Sequence, residues 1–423
     1  MASTTNPVAA NGRPMRALVL GVNDHPRALA TVRSLGGAGI PVIGVKATAF
    51  AGCHSRYLEG NRVVDPTEQA LLPFLDSMAN DGGGVLFAVH DKYLVLAARH
   101  ADVLSRRFTL TMPRWEILGR LMEPRRLYDI ARQHCVHTPL HFMPRDEADL
   151  ERIVANLDFA HRDYVLKTTP GIASEPADPS TGRATKLAGS DSSMVRRNCL
   201  EIRARLGRFP LIAEIVPGQA NHGVAVTMLV DQSHVPVLAF CTHRLGSDVS
   251  CESVNDVEAI ETAARLLHGV EYVGLVTLDF RRDPRNGKLT LIKADPRVVR
   301  PTSLSTALGM DTPIALYRLA VSGRVNAPAA YEQSVGWLSE TTLFETLWDN
   351  RDARPLGKEL LGIWRRRGRI KAFAYFCLRD PLPFFVHAQW RGRSWLWSRI
   401  HGVVRRTANA VRRRRVQAGA LDV

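Results

Sequence analysis

The apolar and polar positions divide the chain into three stretches with different periods. Residues 16–21, "RALVLG", form a continuous apolar run that predicts a buried strand. A helix-compatible stretch follows, "PRALATVRSLGGAG", then a second strand at 41–45, "PVIGV". "GGVLFAV" (83–89) predicts a third strand, leading into the helical pattern "HDKYLVLAARHADVLSRR". Strands alternating with helices at this spacing predict an open parallel sheet. Near residue 119 the pattern changes. "LMEPRRLYDIARQHCVHTP" predicts a helix from about Pro124, ended by Pro139. Short strands follow at 163–168, 183–189, 209–216, 222–231 and 236–245, then a helix at 257–270. "VGLVTLDFRR" and "KLTLIKAD", joined by "DPRNG", read as a hairpin. This is an α+β block with a mainly antiparallel sheet. From about 327 the chain reads as helical and holds six of the seven tryptophans.

The predicted division is 1–14 disordered, 15–118 an α/β domain, 119–326 the α+β block, 327–389 helical, and 390–423 a basic amphipathic tail. No internal repeat is present.

Composition adds limits. The 423 residues, 45% hydrophobic and 23% charged, are enough for two or three packed domains. No apolar run reaches the ~20 residues that span a bilayer. The opening "MASTTNPVAANGRP" lacks the pattern of a signal peptide. Six scattered cysteines without a CxxC pair argue against a disulfide framework or zinc site and for a reducing, cytoplasmic setting. The fourteen histidines show no ligand spacing. The net charge of +15 is concentrated: Trp364 to Arg415 carries fifteen Lys or Arg against one acid, Asp380. In the tail, Trp397, Ile400, Val404 and Val411 fall near one helical face among arginines. Basic residues with interleaved Trp suit an anionic membrane surface, hence a peripheral place at the inner membrane face. Nucleic acid is the lesser alternative, and packing on the body or simple solvation another.

The chemistry gathers on a few strand ends. Lys293 and Asp295, two apart on a strand, face the same side. Asp279 ends the strand before them. Lys167 ends "DYVLK", and Lys186 lies on the return strand beyond a Gly/Pro/Ser-rich loop, 171–182. Glu214 ends an apolar strand before Pro-Gly. Binding ATP for phosphoryl transfer needs cations for phosphates, a slot for adenine and carboxylates for Mg²⁺. Each residue alone is ordinary turn or edge chemistry; their order sets them apart. Gly21 stands where a dinucleotide fingerprint would begin, but "GVNDHP" lacks its other glycines.

With these motifs, residues from about 15 to about 385 resemble the ATP-grasp superfamily, in particular its carboxylate–amine ligase-like members. The opening sheet resembles their pre-ATP-grasp domain, with an acid-containing turn at Asp91. "LGMDTP" and "RDPLPFF" also fit such chains. The resemblance implies phosphate-binding lysines at Lys167 and Lys186, and an adenine hinge at Glu214 and the backbone of Ile215. It places Ile292 beside the nucleotide and metal carboxylates at Asp279 and Asp295. It also implies a mechanism in which ATP phosphorylates a carboxylate and an amine attacks the acyl phosphate. Small carboxylate and amine substrates and a homodimer are the matching partners. Arg297 and Arg244 are candidates for the phosphates or the acceptor carboxylate; the alternative for each is a surface salt bridge.

Two departures stand out. Lys293 occupies the position of a metal-binding glutamate, with Asp295 in place of an asparagine. Pro124 stands where relatives carry a phosphate-binding lysine, with Arg125 or Arg126 as substitutes. Lys293 can swing away from a metal held by Asp279 and Asp295. It can instead take a metal's place as a fixed cation, or pair with an acid in a lapsed site. The expected function is an ATP- and Mg²⁺-dependent ligase; the rival is a nucleotide- or metabolite-binding relative without catalysis.

Overall fold

The computed structural model describes residues 14–22, 25–47, 51–168, 185–186, 191–219, 222–245, 249–343, 361–362 and 365–390. Three sheets organise them. The first holds β1 (Ala17–Leu20), β2 (Val42–Lys46), β3 (Gly60–Val63), β4 (Gly84–Ala88) and β5 (Phe108–Leu110), in the order β3-β2-β1-β4-β5. Every pairing is parallel. Helices Pro26–Gly37, Glu68–Asn80 and Asp91–Arg99 cross between strands. β1 and β4 are buried throughout, as their unbroken apolar runs predict. The edge strands β3 and β5 were not legible: "GNRV" is polar and half exposed, and "FTL" is three residues long.

The second sheet pairs β6 (His141–Phe142), β7 (Tyr164–Lys167), β8 (Thr185–Lys186) and β9 (Leu211–Glu214), in the order β6-β9-β7-β8, all antiparallel. The third contains β10 (Gly223–Val230), β11 (Pro236–Arg244), β12 (Ser250–Val254), β13 (Gly274–Arg282), β14 (Leu289–Asp295), β15 (Gly336–Leu338) and β16 (Ile370–Phe373). Its order is β14-β13-β10-β11-β12-β15-β16. The β13–β14 turn closes through Gly287, whose amide reaches the carbonyl of Asp283 at 2.7 Å with φ of 72°. A left-handed residue is what the Asn-Gly pair supplies there.

One expectation needs correcting. The 327–389 stretch, read as helical, lends β15 and β16 to the edge of the large sheet. Runs of three and four residues carry no period. The loop 171–182 and the basic tail lie outside the described residues, as does residues 1–13. Among the described residues, no helix is long and apolar enough to cross a membrane.

Two cores position the cleft. One joins Val19 and Val85 of the first sheet and Val32 of helix Pro26–Gly37 to Phe240, Leu275 and Trp337 of the third, through helix Thr312–Ser322. The other lies on the opposite face of the third sheet, under helices Pro124–Gln133 and Val257–Gly269. Asp380 fastens the C-terminal segment to the first domain. Its carboxylate accepts from Arg33 Nε at 2.9 Å, Ser55 Oγ at 2.7 Å and the amide of Arg56 at 3.0 Å.

Candidate active site

The site begins with the register of one hairpin. Asp279 on β13 pairs directly with Lys293 on β14, and Thr277 pairs with Asp295. The next matched pair is Phe280 with Leu291, so Ile292 is an extra residue, bulged out of the ladder. A bulge leaves a backbone group without a ladder partner and re-aims the residues that follow. Here the freed carbonyl of Ile292 accepts from Tyr128 Oη at 2.8 Å and from Lys167 Nζ at 3.0 Å. Lys167 also donates to Tyr128 Oη at 2.5 Å. The ammonium at the end of β7 is thereby fixed one residue from Lys293.

Beyond the bulge, Lys293 Nζ sits 2.6 Å from Asp295 Oδ2 and 3.1 Å from Asp279 Oδ2. Arg244 Nη2 approaches Asp279 at 4.0 Å. Arg297 Nη2 reaches Asp295 at 3.4 Å and Asp91 Oδ2 at 3.2 Å, and Arg297 Nε also bonds Asp91. Asp91 begins the helix after β4, so this pair ties the first sheet to the hairpin. The resulting cleft has a volume of about 530 Å³ and is lined by Asp279, Lys293, Asp295, Arg297 and Arg244.

Charge settles the protonation states. Asp279 is the largest cause holding the Lys293 ammonium above the usual lysine range; Asp295 adds to it against the cost of burial. Burial pushes the Asp295 carboxyl up, but Lys293 and Arg297 outweigh it and leave it lowered. Burial and the neighbouring Lys293 push Lys167 down to about 8.

These placements bear on each expected residue. Asp279, Asp295, Arg297 and Arg244 share one cleft. Lys167 lies behind β14 and lines a pocket of about 30 Å³ with Arg125 and Pro124. Lys186 pairs its backbone with Val165, beside the strand of Lys167. The Glu214 carboxylate does not open toward a ligand: it is buried, with Arg162 at 2.7 Å and Arg285 at 2.6 Å. The amide of Ile215 is spent on the carbonyl of Asp163 at 2.8 Å. Arg126 pairs with Glu123 at 2.7 Å, and Arg125 faces Asp129 at 3.7 Å.

The metal expectation meets Lys293 in this arrangement. The oxygens of Asp279 and Asp295 that would bind Mg²⁺ hold an ammonium instead. Like charges ~4 Å apart at an effective dielectric of ~20 repel by about 4 kcal/mol, and a divalent ion doubles that. No group of three His, Cys, Asp or Glu among the described residues is arranged to hold a metal. In this arrangement the two carboxylates are occupied by the Lys293 ammonium.

Sequence reading missed four residues. Tyr128 supports Lys167. Arg27, His25 and Arg300 line the far wall of the cleft. The signal for the first pair was present in "NDHPR", which follows β1 at the carboxyl edge of a parallel sheet, where ligands bind. It was set aside because the turn lacks glycines.

Architecture and cleft together define the class: the protein has the ATP-grasp fold and resembles its carboxylate–amine ligase-like members. A D-aspartate ligase of Enterococcus faecium (strain Aus0004) is 21% identical over 244 residues, 54% of this chain and 56% of that protein. The chain thus spans about half the length of that curated relative. Among solved structures, the biotin carboxylase domain of 2-oxoglutarate carboxylase from Hydrogenobacter thermophilus, in complex with MgADP and bicarbonate, aligns with TM-score 0.58 and 15% identity. It covers 77% of this chain and 74% of its own. N5-carboxyaminoimidazole synthetase from Staphylococcus aureus aligns with TM-score 0.57 and 12% identity, over 80% and 87% of the two chains. No family model matches.

Proposed function

We propose that this protein is an ATP-dependent ligase joining a small carboxylate to an amine through an acyl phosphate. A carboxylate oxygen attacks the γ-phosphorus and ADP leaves. The amine then attacks the acyl carbon, phosphate leaves, and the amine loses a proton. The observation that carries the reading is the convergence of Asp279, Lys293, Asp295, Arg297 and Arg244 on one cleft, with Lys167 one residue behind it. In this reading Lys167 and Lys186 hold phosphates, and the hinge at Glu214 and Ile215 borders adenine. Glu214 serves there as the buried anchor for Arg162 and Arg285. Lys293, held by both acids, supplies a fixed cation where relatives are expected to hold a metal. Arg297 and Arg244 steady the carboxylate as its charge passes to phosphorus. The names of the relatives, ligases and carboxylases acting on small carboxylates or bicarbonate, support this reading.

The rival, nucleotide binding without turnover, draws on the same double pairing of Lys293. The two are separated by supplying MgATP with pools of amino acids and following ADP. Release dependent on a carboxylate and an amine supports the ligase; tight nucleotide binding with no release under any pool supports the rival.

A further inference from the structure

The far wall of the cleft holds positive charge that no ion pair among the described residues neutralises. Arg27 is 7% exposed. Among the described residues its guanidinium has no ion pair, and its Nε is buried without an acceptor. His25 Nδ1, two residues before it, is equally without a partner. Arg300 donates to Ser339 Oγ at 3.2 Å and Thr342 Oγ1 at 2.7 Å, both neutral groups. The nearest acids are engaged elsewhere: Asp91 and Asp295 by Arg297, and Asp295 by Lys293 as well. In all, six cations line the cleft against two carboxylates.

A buried guanidinium without an acceptor is costly, and a bound oxyanion relieves that cost. In the ligase reading ATP enters from the side of Lys167 and Glu214, which belong to the second sheet and do not line this cleft, and its γ-phosphate is met by Lys293 and Arg297, leaving Arg27 and Arg300 to another group. Phe240, Leu275 and Trp337 also line the cleft and give it an apolar surface suited to a short carbon spacer. Burial, with Arg27 and Arg300 adding to it, holds His25 neutral, so its ring can share a hydrogen bond with the same group.

We propose that Arg27 and Arg300, assisted by His25, form a subsite for a second acid group, so that the substrate carries two oxyanions on one small skeleton. One carboxylate lies toward Lys293 and Arg297 for activation. The other group, a carboxylate or a phosphate, seats on Arg27 and Arg300. This rests on the ligase reading and narrows its substrate class.

The test is a calorimetric titration of the full chain, with and without a non-hydrolysable ATP analogue. The probes are succinate, glutarate, both enantiomers of aspartate and glutamate, and O-phosphoserine. Asparagine, glutamine and serine serve as their neutral counterparts. At least one two-acid probe is expected to bind about tenfold or more tighter than its counterpart. Arg27→Gln and Arg300→Gln, on separate elements, should each erase that gap while nucleotide affinity is retained. A preference for phosphoserine over the dicarboxylates assigns a phosphate, and the reverse a carboxylate. Equal binding of acid and neutral probes, a gap that survives in both variants, or no binding of any probe overturns the subsite. Loss of nucleotide binding in the unmodified chain overturns instead the ligase reading beneath it.

Discussion

At the scale of single residues, Lys293 decides what the site does. Its ammonium bridges the two acids that a metal would need. Lys293→Glu should therefore convert the hairpin into a cation site. Mg²⁺ or Mn²⁺ binding to the isolated protein, weak before the change, is expected to tighten about tenfold or more. Unchanged metal affinity would mean that these carboxylates do not converge as described. Lys167 offers a second reading of the same electrostatics. Its pKa is pushed down to about 8, so the folded chain loses this charge before the unfolded chain does. Nucleotide affinity should fall as pH rises through about 8, and Lys167→Arg, which stays charged, should flatten that profile. Stability has the opposite sign. Between about 8 and the ordinary lysine value the unfolded state binds more protons, so this residue's contribution rises with pH there.

At the scale of elements, the bulge at Ile292 makes the site. Without the extra residue, β14 would continue its ladder and no free carbonyl would meet Lys167. Tyr128, buried in helix Pro124–Gln133, donates to that carbonyl beside Lys167 and accepts from the Lys167 ammonium. Tyr128→Phe removes one hydroxyl that serves both partners. It is expected to cost about 1–3 kcal/mol of stability and to weaken nucleotide binding, as followed by urea unfolding and titration. Unfolding unchanged within error would show that the bulge stands without it. The apolar runs opening 274–282 and 289–295 made both strands legible, because each is buried on both faces at its start, and the acids stand out where the burial ends. The bulge was not legible, since one inserted residue leaves the apolar pattern almost intact. β15 and β16 were hidden for a different reason: their pairing comes from distant segments. Arg300 and the two arginines on Glu214 were hidden likewise, since separation in sequence carries no trace of convergence in space.

At the scale of the molecule, the cleft exists because the first sheet is held against the third. Arg297 with Asp91 makes that joint at the site, and Asp380 makes it at the far end. Asp380→Ala would leave the mostly buried Arg33 guanidinium without its carboxylate, with the main-chain carbonyl of residue 380 still in reach, at an expected cost of about 3 kcal/mol in thermal or chemical unfolding. A change under ~0.5 kcal/mol would show that the C-terminal segment does not lock the first domain. The three inner strands of the parallel sheet, the antiparallel block and their order along the chain were legible from periodicity; which walls face the cleft was not.

The central claim is an activated carboxylate. Hydroxylamine, a small nucleophile that stands in for the amine, traps acyl phosphates as hydroxamates. Incubation of the full chain with MgATP, hydroxylamine and the carboxylate probes above should yield hydroxamate and ADP in equal amounts, and neither when the carboxylate is omitted. Tight nucleotide binding with no hydroxamate from any carboxylate would contradict the account.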